Sequence, residues 1–195
     1  MSSLSRDALQ SLQSRLDYQF RDQTLLLKSL THRSAGNNNN ERLEFLGDAL
    51  VNLVVAKAFF THFSDSDEGK LTRLRASVVS GESLANVAQR LMLSDFLILG
   101  ESERRSGGRK RRSTLADTLE ALAGAVLLDA GISRAMQVVE GWLKETIDGI
   151  SPEFTVDAKT RLQEWLQARR EALPNYNIIE VLGSDHDQTF RVRCH

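Results

Sequence analysis

Apolar residues return every three to four positions through most of the chain up to residue 149. This period predicts helices near 5–15, 22–33, 39–62, 69–79, 82–92, 113–130 and 133–148. No strand-like alternation interrupts them. The asparagine run Asn37 to Asn40, the D-S-D-E-G stretch at 65–69, Gly100 and the pair Gly107 and Gly108 read as loops between helices. The asparagines offer N-caps to the helix that follows. At D-G-I-S-P-E-F-T, residues 148–155, the pattern changes, and a linker is expected over 149–156. Beyond it D-A-K-T-R-L-Q-E-W-L-Q-A-R-R reads as a helix. Y-N-I-I-E-V-L and Q-T-F-R-V-R-C read as strands joined by the turn G-S-D-H-D. The fold class is therefore mainly α, an all-helical unit followed by a small α+β one.

Two of the predicted helices carry acids on otherwise apolar surfaces. In E-R-L-E-F-L-G-D at 41–48, Glu41, Glu44 and Asp48 fall within about 60° of one another at 100° per residue. Phe45, Leu46, Ala49, Leu50 and Leu53 take the remaining faces. In S-T-L-A-D-T-L-E-A-L-A-G-A-V-L-L-D at 113–129, Asp117 and Glu120 share a face at i and i+3. Like charges at this spacing destabilise a helix, and burial adds a desolvation penalty, so both stripes ask for a cation. If the two helices pack side by side, their carboxylates form a hard, all-oxygen site suited to magnesium or manganese.

Other readings of the same residues stay open. Glu41 stands three after Asn38 and Asp117 three after Thr114, so either acid fits a capping box. Glu44 and Asp48 lie too deep in their helix for that. The run A-L-V-N-L-V-V-A-K-A-F-F after Asp48 predicts a helix buried centrally or at a subunit interface. Gly47 inside it, costing about 1 kcal/mol relative to alanine, is explained by a close helix crossing or by room for a partner. The histidines are scattered, and His32 reads as a local cap or packing residue, so a histidine-based acid and base pair is not expected.

With 195 residues and 41% hydrophobic content the chain can bury one sizeable core plus a smaller unit. A net charge of -1 leaves any polyanionic partner to local patches. One such patch is R-R-S-G-G-R-K-R-R at 104–112, just before the second acidic helix; it reads as a solvated loop or a phosphate contact. The single cysteine, Cys194, excludes an intrachain disulfide framework, and no Cys/His spacing suggests zinc. No segment reaches 18 uninterrupted apolar residues and no signal peptide is visible, so a cytoplasmic protein without membrane attachment is expected.

Taken together these stretches resemble the ribonuclease III family. N-E-R-L-E-F-L-G-D at 40–48 is similar to its signature and L-A-D-T-L-E-A-L at 115–122 to its second acidic motif; T-H-R-S at 31–34, D-E-G-K-L-T-R-L-R-A at 67–76 and S-G-G before the second motif support the match. Residues 157–195 resemble the N-terminal part of a double-stranded RNA-binding domain, with K-T-R-L-Q-E-W-L in its first helix. Asn39 stands where that family commonly has histidine. The resemblance implies an endonuclease domain over 8–131, with helices continuing to about 148. It implies a homodimer that hydrolyses double-stranded RNA to 5′-phosphate and 3′-hydroxyl ends with short 3′ overhangs, processing ribosomal and other structured precursor RNAs. It implies Glu44, Asp117 and Glu120 as ligands of Mg2+, replaceable by Mn2+, with Asp48 and Glu120 catalytic, Glu41 and Glu68 lining the groove, and no small-molecule cofactor. Arg109, Lys110, Arg111, Lys159, Thr160 and Gln163 are the expected RNA contacts. The alternative is a catalytically silent, dimeric RNA-binding protein of the same fold.

Overall fold

Small polar side chains set where the helices begin. Ser5 Oγ accepts the Ala8 N–H at the start of α1 (Arg6–Arg15), and Asp22 accepts the Thr24 N–H at the start of α2 (Gln23–Ser29). Before α3 (Glu41–His62), Asn39 Oδ1 accepts the Glu41 N–H at 3.1 Å while its Nδ2 donates to the Gly36 carbonyl. Asp67 and Ser80 cap α4 (Glu68–Val78) and α5 (Gly81–Arg90) in the same way. A short α6 (Glu101–Arg105) precedes α7 (Arg112–Ala130) and α8 (Ile132–Asp148). The computed structural model describes residues 4–151, 158–182 and 188–194, and the chain forms two compact units, 1–152 and 153–195. Most of the expected linker 149–156, the turn at 183–187, His186 and His195 lie outside the described residues.

In the first unit α7 is the central element: from Thr114 to Val126 every residue is buried except Asp117 and Glu120. It packs along the stripe of α3 formed by Leu43, Gly47, Leu50, Val51, Val54, Val55, Ala58 and Phe59. The two helices cross at a pair of glycines. A β-carbon on Gly47 would overlap the Glu120 carbonyl, and one on Gly124 would overlap the Leu43 carbonyl, so only hydrogen lets backbone meet backbone here. The close crossing expected from Gly47 is thus present. The opposite stripe of α3 is not buried: Phe45 is 82% exposed, Phe60 75% and Leu53 48%.

The first unit departs from the expected helices in two places. The helix predicted to reach residue 33 stops at Ser29, because the next backbone groups are taken by a neighbouring segment: Ile98 N–H donates to the Leu30 carbonyl at 2.9 Å and His32 N–H to the Ile98 carbonyl at 3.0 Å. This makes an isolated parallel bridge, Thr31 to Ile98, where no strand pairing was expected. In the basic stretch, α6 and a 3-10 turn over Gly108–Lys110 replace part of the predicted loop; E-S-E-R-R has no apolar face for periodicity to detect.

The two ends of the first unit are tied by hydrogen bonds. Asp129, on α7, accepts from Tyr18 Oη at 2.6 Å and from the backbone N–H groups of Arg21 and Asp22 at 2.9 Å each, and Trp142 Nε1 donates to the Leu16 carbonyl at 2.8 Å. Burial pushes the Asp129 carboxyl up, but these donors outweigh it and hold it below the usual range, while burial and Asp129 push the Tyr18 phenol up to about 12. A carboxyl whose folded value is lowered contributes stability above its ordinary value, lost as pH falls through the folded one. Asp129→Ala is therefore expected to cost about 1–2 kcal/mol at pH 7, since solvent screens much of the carboxylate's charge, and less at pH 3, in urea titrations. Equal losses at both pH values would show that the carboxylate charge does not contribute.

The second unit holds α9 (Ala158–Ala168) and an antiparallel pair, β1 (Tyr176–Leu182) with β2 (Thr189–Cys194). Tyr176 pairs with Cys194 and Leu182 with Thr189, with a register shift between Ile178 and Glu180. Apolar side chains of this unit stay open to solvent: Trp165 is 50% exposed, Ile178 61% and Phe190 51%. Two strands and one helix offer little surface with which to cover these side chains. The Arg169 guanidinium stacks 3.7 Å from the centre of the Trp165 ring.

Candidate active site

The glycine crossing brings the acids of the two helices together. Glu44 of α3 and Asp117 and Glu120 of α7 place carboxylate oxygens within 4.8 Å of one another, each side chain half-buried. Burial, then the charges of Asp48, Asp117 and Glu44, push the Glu120 carboxyl up to about 8. Burial and Asp117 raise Glu44, with Arg33 opposing; burial raises Asp117, with His32 and Arg33 opposing. Three half-buried carboxylates that resist ionising beside one another form a donor set for a hard divalent cation, whose charge removes the repulsion.

The capping readings of Glu41 and Asp117 do not hold. Helix α7 begins at Arg112, so Thr114 is inside it and buried, and Asp117 lies in the second turn. Glu41 is the first residue of α3, with Asn40 rather than Asn38 at the cap. Its exposed carboxylate pairs instead with Arg33 at 3.6 Å. Asp48 is exposed on the flank of the cluster; its charge reaches Glu120, and its Oδ1 accepts from Asn52 Nδ2 at 3.0 Å. Glu68 is not brought to the cluster. It opens α4, accepts from Thr72 Oγ1 at 2.8 Å and lines a separate cavity of about 230 Å³ with Phe60, Leu71 and Arg75.

The basic stretch is largely pinned down. Arg109 donates to the Ser94 carbonyl at 2.7 Å, Arg111 to Glu103 Oε1 at 2.6 Å, and Arg112 to the Glu82 carbonyl and Asn86 Oδ1 at 2.7 Å each, while Lys110 is exposed. Gln163 is half-buried on α9, and the side chains of Lys159 and Thr160 lie outside the described residues. Three residues around the acids were given no part in the site by sequence reasoning: His32, Arg33 and Glu103. His32 caps the 3-10 turn Arg33–Ala35, as a local role would require. It is also held by a chain in which Gly100 N–H donates to Ser34 Oγ at 2.9 Å, with Ser34 Oγ 2.8 Å from His32 Nδ1. The T-H-R-S stretch carried a signal for the first two; Glu103 sat in a predicted loop and carried none.

Residues 22–147 match the family described as Ribonuclease-III-like, and residues 158–195 match the double-stranded RNA binding motif. A protein named Ribonuclease 3 from Marinomonas sp. (strain MWYL1) is 51% identical over 196 residues, spanning 100% of this chain and 85% of its own length. Ribonuclease 3 from Dechloromonas aromatica (strain RCB) is 48% identical over 186 residues, 95% of this chain and 84% of that protein. Among solved structures, the nuclease domain of ribonuclease III from Campylobacter jejuni is similar with a TM-score of 0.70 at 40% identity, over 73% of this chain and 98% of that one. Another structure of that domain, described for flexibility in a region involved in dimer formation, gives 0.69 at 40% identity over 70% of this chain and 96% of that one.

Proposed function

Since the chain belongs to the ribonuclease III family and is a double-stranded RNA endoribonuclease, we propose that Glu44, Asp117 and Glu120 hold magnesium and that Asp48 completes the catalytic set. The observation that carries this is the convergence of three carboxylates within 4.8 Å at the crossing of α3 and α7. When bound, the divalent ion supplies Lewis acidity and charge neutralisation at the scissile phosphate. The chain's own residues do the rest. Glu44, Asp117 and Glu120 fix the site on two packed helices, which keeps it rigid. Asp48, exposed beside them, is placed to orient the attacking water. Arg33 holds positive charge beside Asp117, which offsets part of the repulsion among the acids when no ion is bound.

The double-stranded RNA binding motif of the second unit recruits duplexes by shape and backbone rather than by sequence, with Lys159, Thr160 and Gln163 on its first helix. In the cell we assign the protein to the cytoplasm and to processing of ribosomal and other structured precursor RNAs. No helix among the described residues is long and apolar enough to cross a membrane.

The exposed stripe Phe45, Leu53 and Phe60 on α3 suits a second copy of the chain, giving a homodimer whose groove is lined by Glu41 and Glu68. A charge at Phe45, 82% exposed, leaves the monomer's core untouched. Phe45→Glu is therefore expected to yield folded monomers in sedimentation at micromolar concentration; an unchanged dimer would remove this stripe from the interface.

Cleavage of a labelled perfect RNA duplex at low salt, with and without magnesium, tests the reading. Magnesium-dependent cuts leaving 5′-phosphates, 3′-hydroxyls and short 3′ overhangs are expected. Intact duplex in both conditions would overturn it.

A further inference from the structure

Beside the carboxylate cluster lies a cavity of about 460 Å³ that mixes cations with the acids: Glu44 and Asp117 line it together with His32, Arg33, Glu103 and Arg111. Of the basic residues at 104–112, Arg111 alone lines it. Arg104 and Arg109 line a different cavity, Arg112 is bonded to α5, and Arg105 pairs with Glu101 on the exposed surface of α6.

Each of the two arginines is aimed by an acid outside the three-carboxylate cluster. Glu103, whose side chain is 17% exposed, holds Arg111 at 2.6 Å, which fixes the guanidinium while leaving its other N–H groups for a further anion. Glu41 holds Arg33 at 3.6 Å with both side chains mostly in water, at 53% and 72% exposed. A surface pair of that kind stabilises little, so Arg33 exchanges readily to a stronger partner. An RNA backbone approaching three carboxylates is repelled unless cations flank them, and these two stand at that position.

We infer that Arg33 and Arg111 form a phosphate clamp over the carboxylate cluster. They grip the backbone of the strand being cut, next to the scissile bond, with Glu41 and Glu103 as positioning residues. The inference rests on the nuclease reading and extends it to the residues that hold the substrate's phosphates. Arg109 and Arg112, by contrast, hold the loop in shape.

Duplex binding by the full chain is measured against salt in a Glu120→Gln background, and cleavage kinetics in the active protein. Arg33→Gln and Arg111→Gln should each flatten the slope of log affinity against log salt by about one. Each should raise KM about tenfold with kcat nearly unchanged, as expected for one lost charged hydrogen bond. Neither should weaken Mn2+ binding by the cluster, since both remove a cation. Arg111→Lys should keep the slope and still raise KM, because a point charge cannot make two parallel bonds. Glu103→Gln should likewise raise KM without flattening the slope, since Arg111 keeps its charge. Unchanged slopes in both arginine-to-glutamine variants, or equal flattening by Arg105→Gln, would overturn the clamp. Expected slopes in a protein that cuts nothing under magnesium would support the clamp while sinking the nuclease reading.

Discussion

Replacing Glu120 by glutamine is expected to lower magnesium-dependent turnover on the order of 10⁴-fold, and at the same time to make the metal-free protein more stable above neutral pH. Both effects have one cause. Glu120 is a half-buried acid beside Asp48, Asp117 and Glu44, raised from an ordinary 4.5 to about 8. Between those values the folded protein keeps a proton that the unfolded chain has lost, so the metal-free wild type loses stability as pH rises from 4.5 to 8. Glutamine does not titrate, and the variant escapes that loss. Magnesium should reverse the ranking by stabilising only the protein with a complete ligand set, and its binding should release protons most strongly near neutral pH. Thermal melts at pH 6 and 8.5, in chelator and in magnesium, together with duplex cleavage, read all of this. Turnover within tenfold of wild type would remove Glu120 from the chemistry; parallel melts at both pH values would remove it from a repulsive cluster.

Gly47→Ala should be the most damaging single methyl in the first unit. The added carbon meets the carbonyl of Glu120 itself and lies 2.9 Å from Gly124 N, so no side-chain rotation relieves the overlap and the helices must separate. A loss of about 3 kcal/mol or more is expected in chemical denaturation. Because the displaced residue carries a ligand, Mn2+ affinity should fall about tenfold or more in whatever fraction folds. Gly141→Ala on α8 is the matching control: a β-carbon there meets nothing within 4 Å, and alanine should be neutral or stabilising by about 0.5–1 kcal/mol. If the two substitutions cost the same, the crossing is looser than described.

The helical unit was legible because its helices are amphipathic or buried, and acids on an apolar background stand out. Glu44, Asp117 and Glu120 could be read at one remove: each stripe is visible locally, but only the glycine crossing says that the stripes meet. Gly47 hinted at a crossing without naming its partner, Gly124. What escaped were residues whose role depends on distant backbone. Leu30 ends α2 early because residue 98 reaches in to bond it, and nothing within 22–33 signals that. Glu103 and Arg111 sit in a polar stretch where period carries no information, so a run of arginines looked like one patch. The structure divides it, with Arg109 and Arg112 bonded to backbone carbonyls and Arg111 turned to the acids. In the second unit the helix and the two strands were readable from their periods.

The tie between Asp129 and the stretch from Tyr18 to Asp22 spans more than a hundred residues, 111 for the phenol, and Trp142 reaches back 126 residues to Leu16. On the ribosome, therefore, the first helices emerge long before the residues that anchor them. Leu16 and Leu26, fully buried in the finished protein, lack their partners on α8 and α7 until those helices have been made. At about 5–20 residues per second that is an interval of several seconds or more. An all-helical unit of this size would otherwise fold quickly from local contacts; here late closure sets the pace and marks the nascent N-terminal helices as the segment a chaperone would meet.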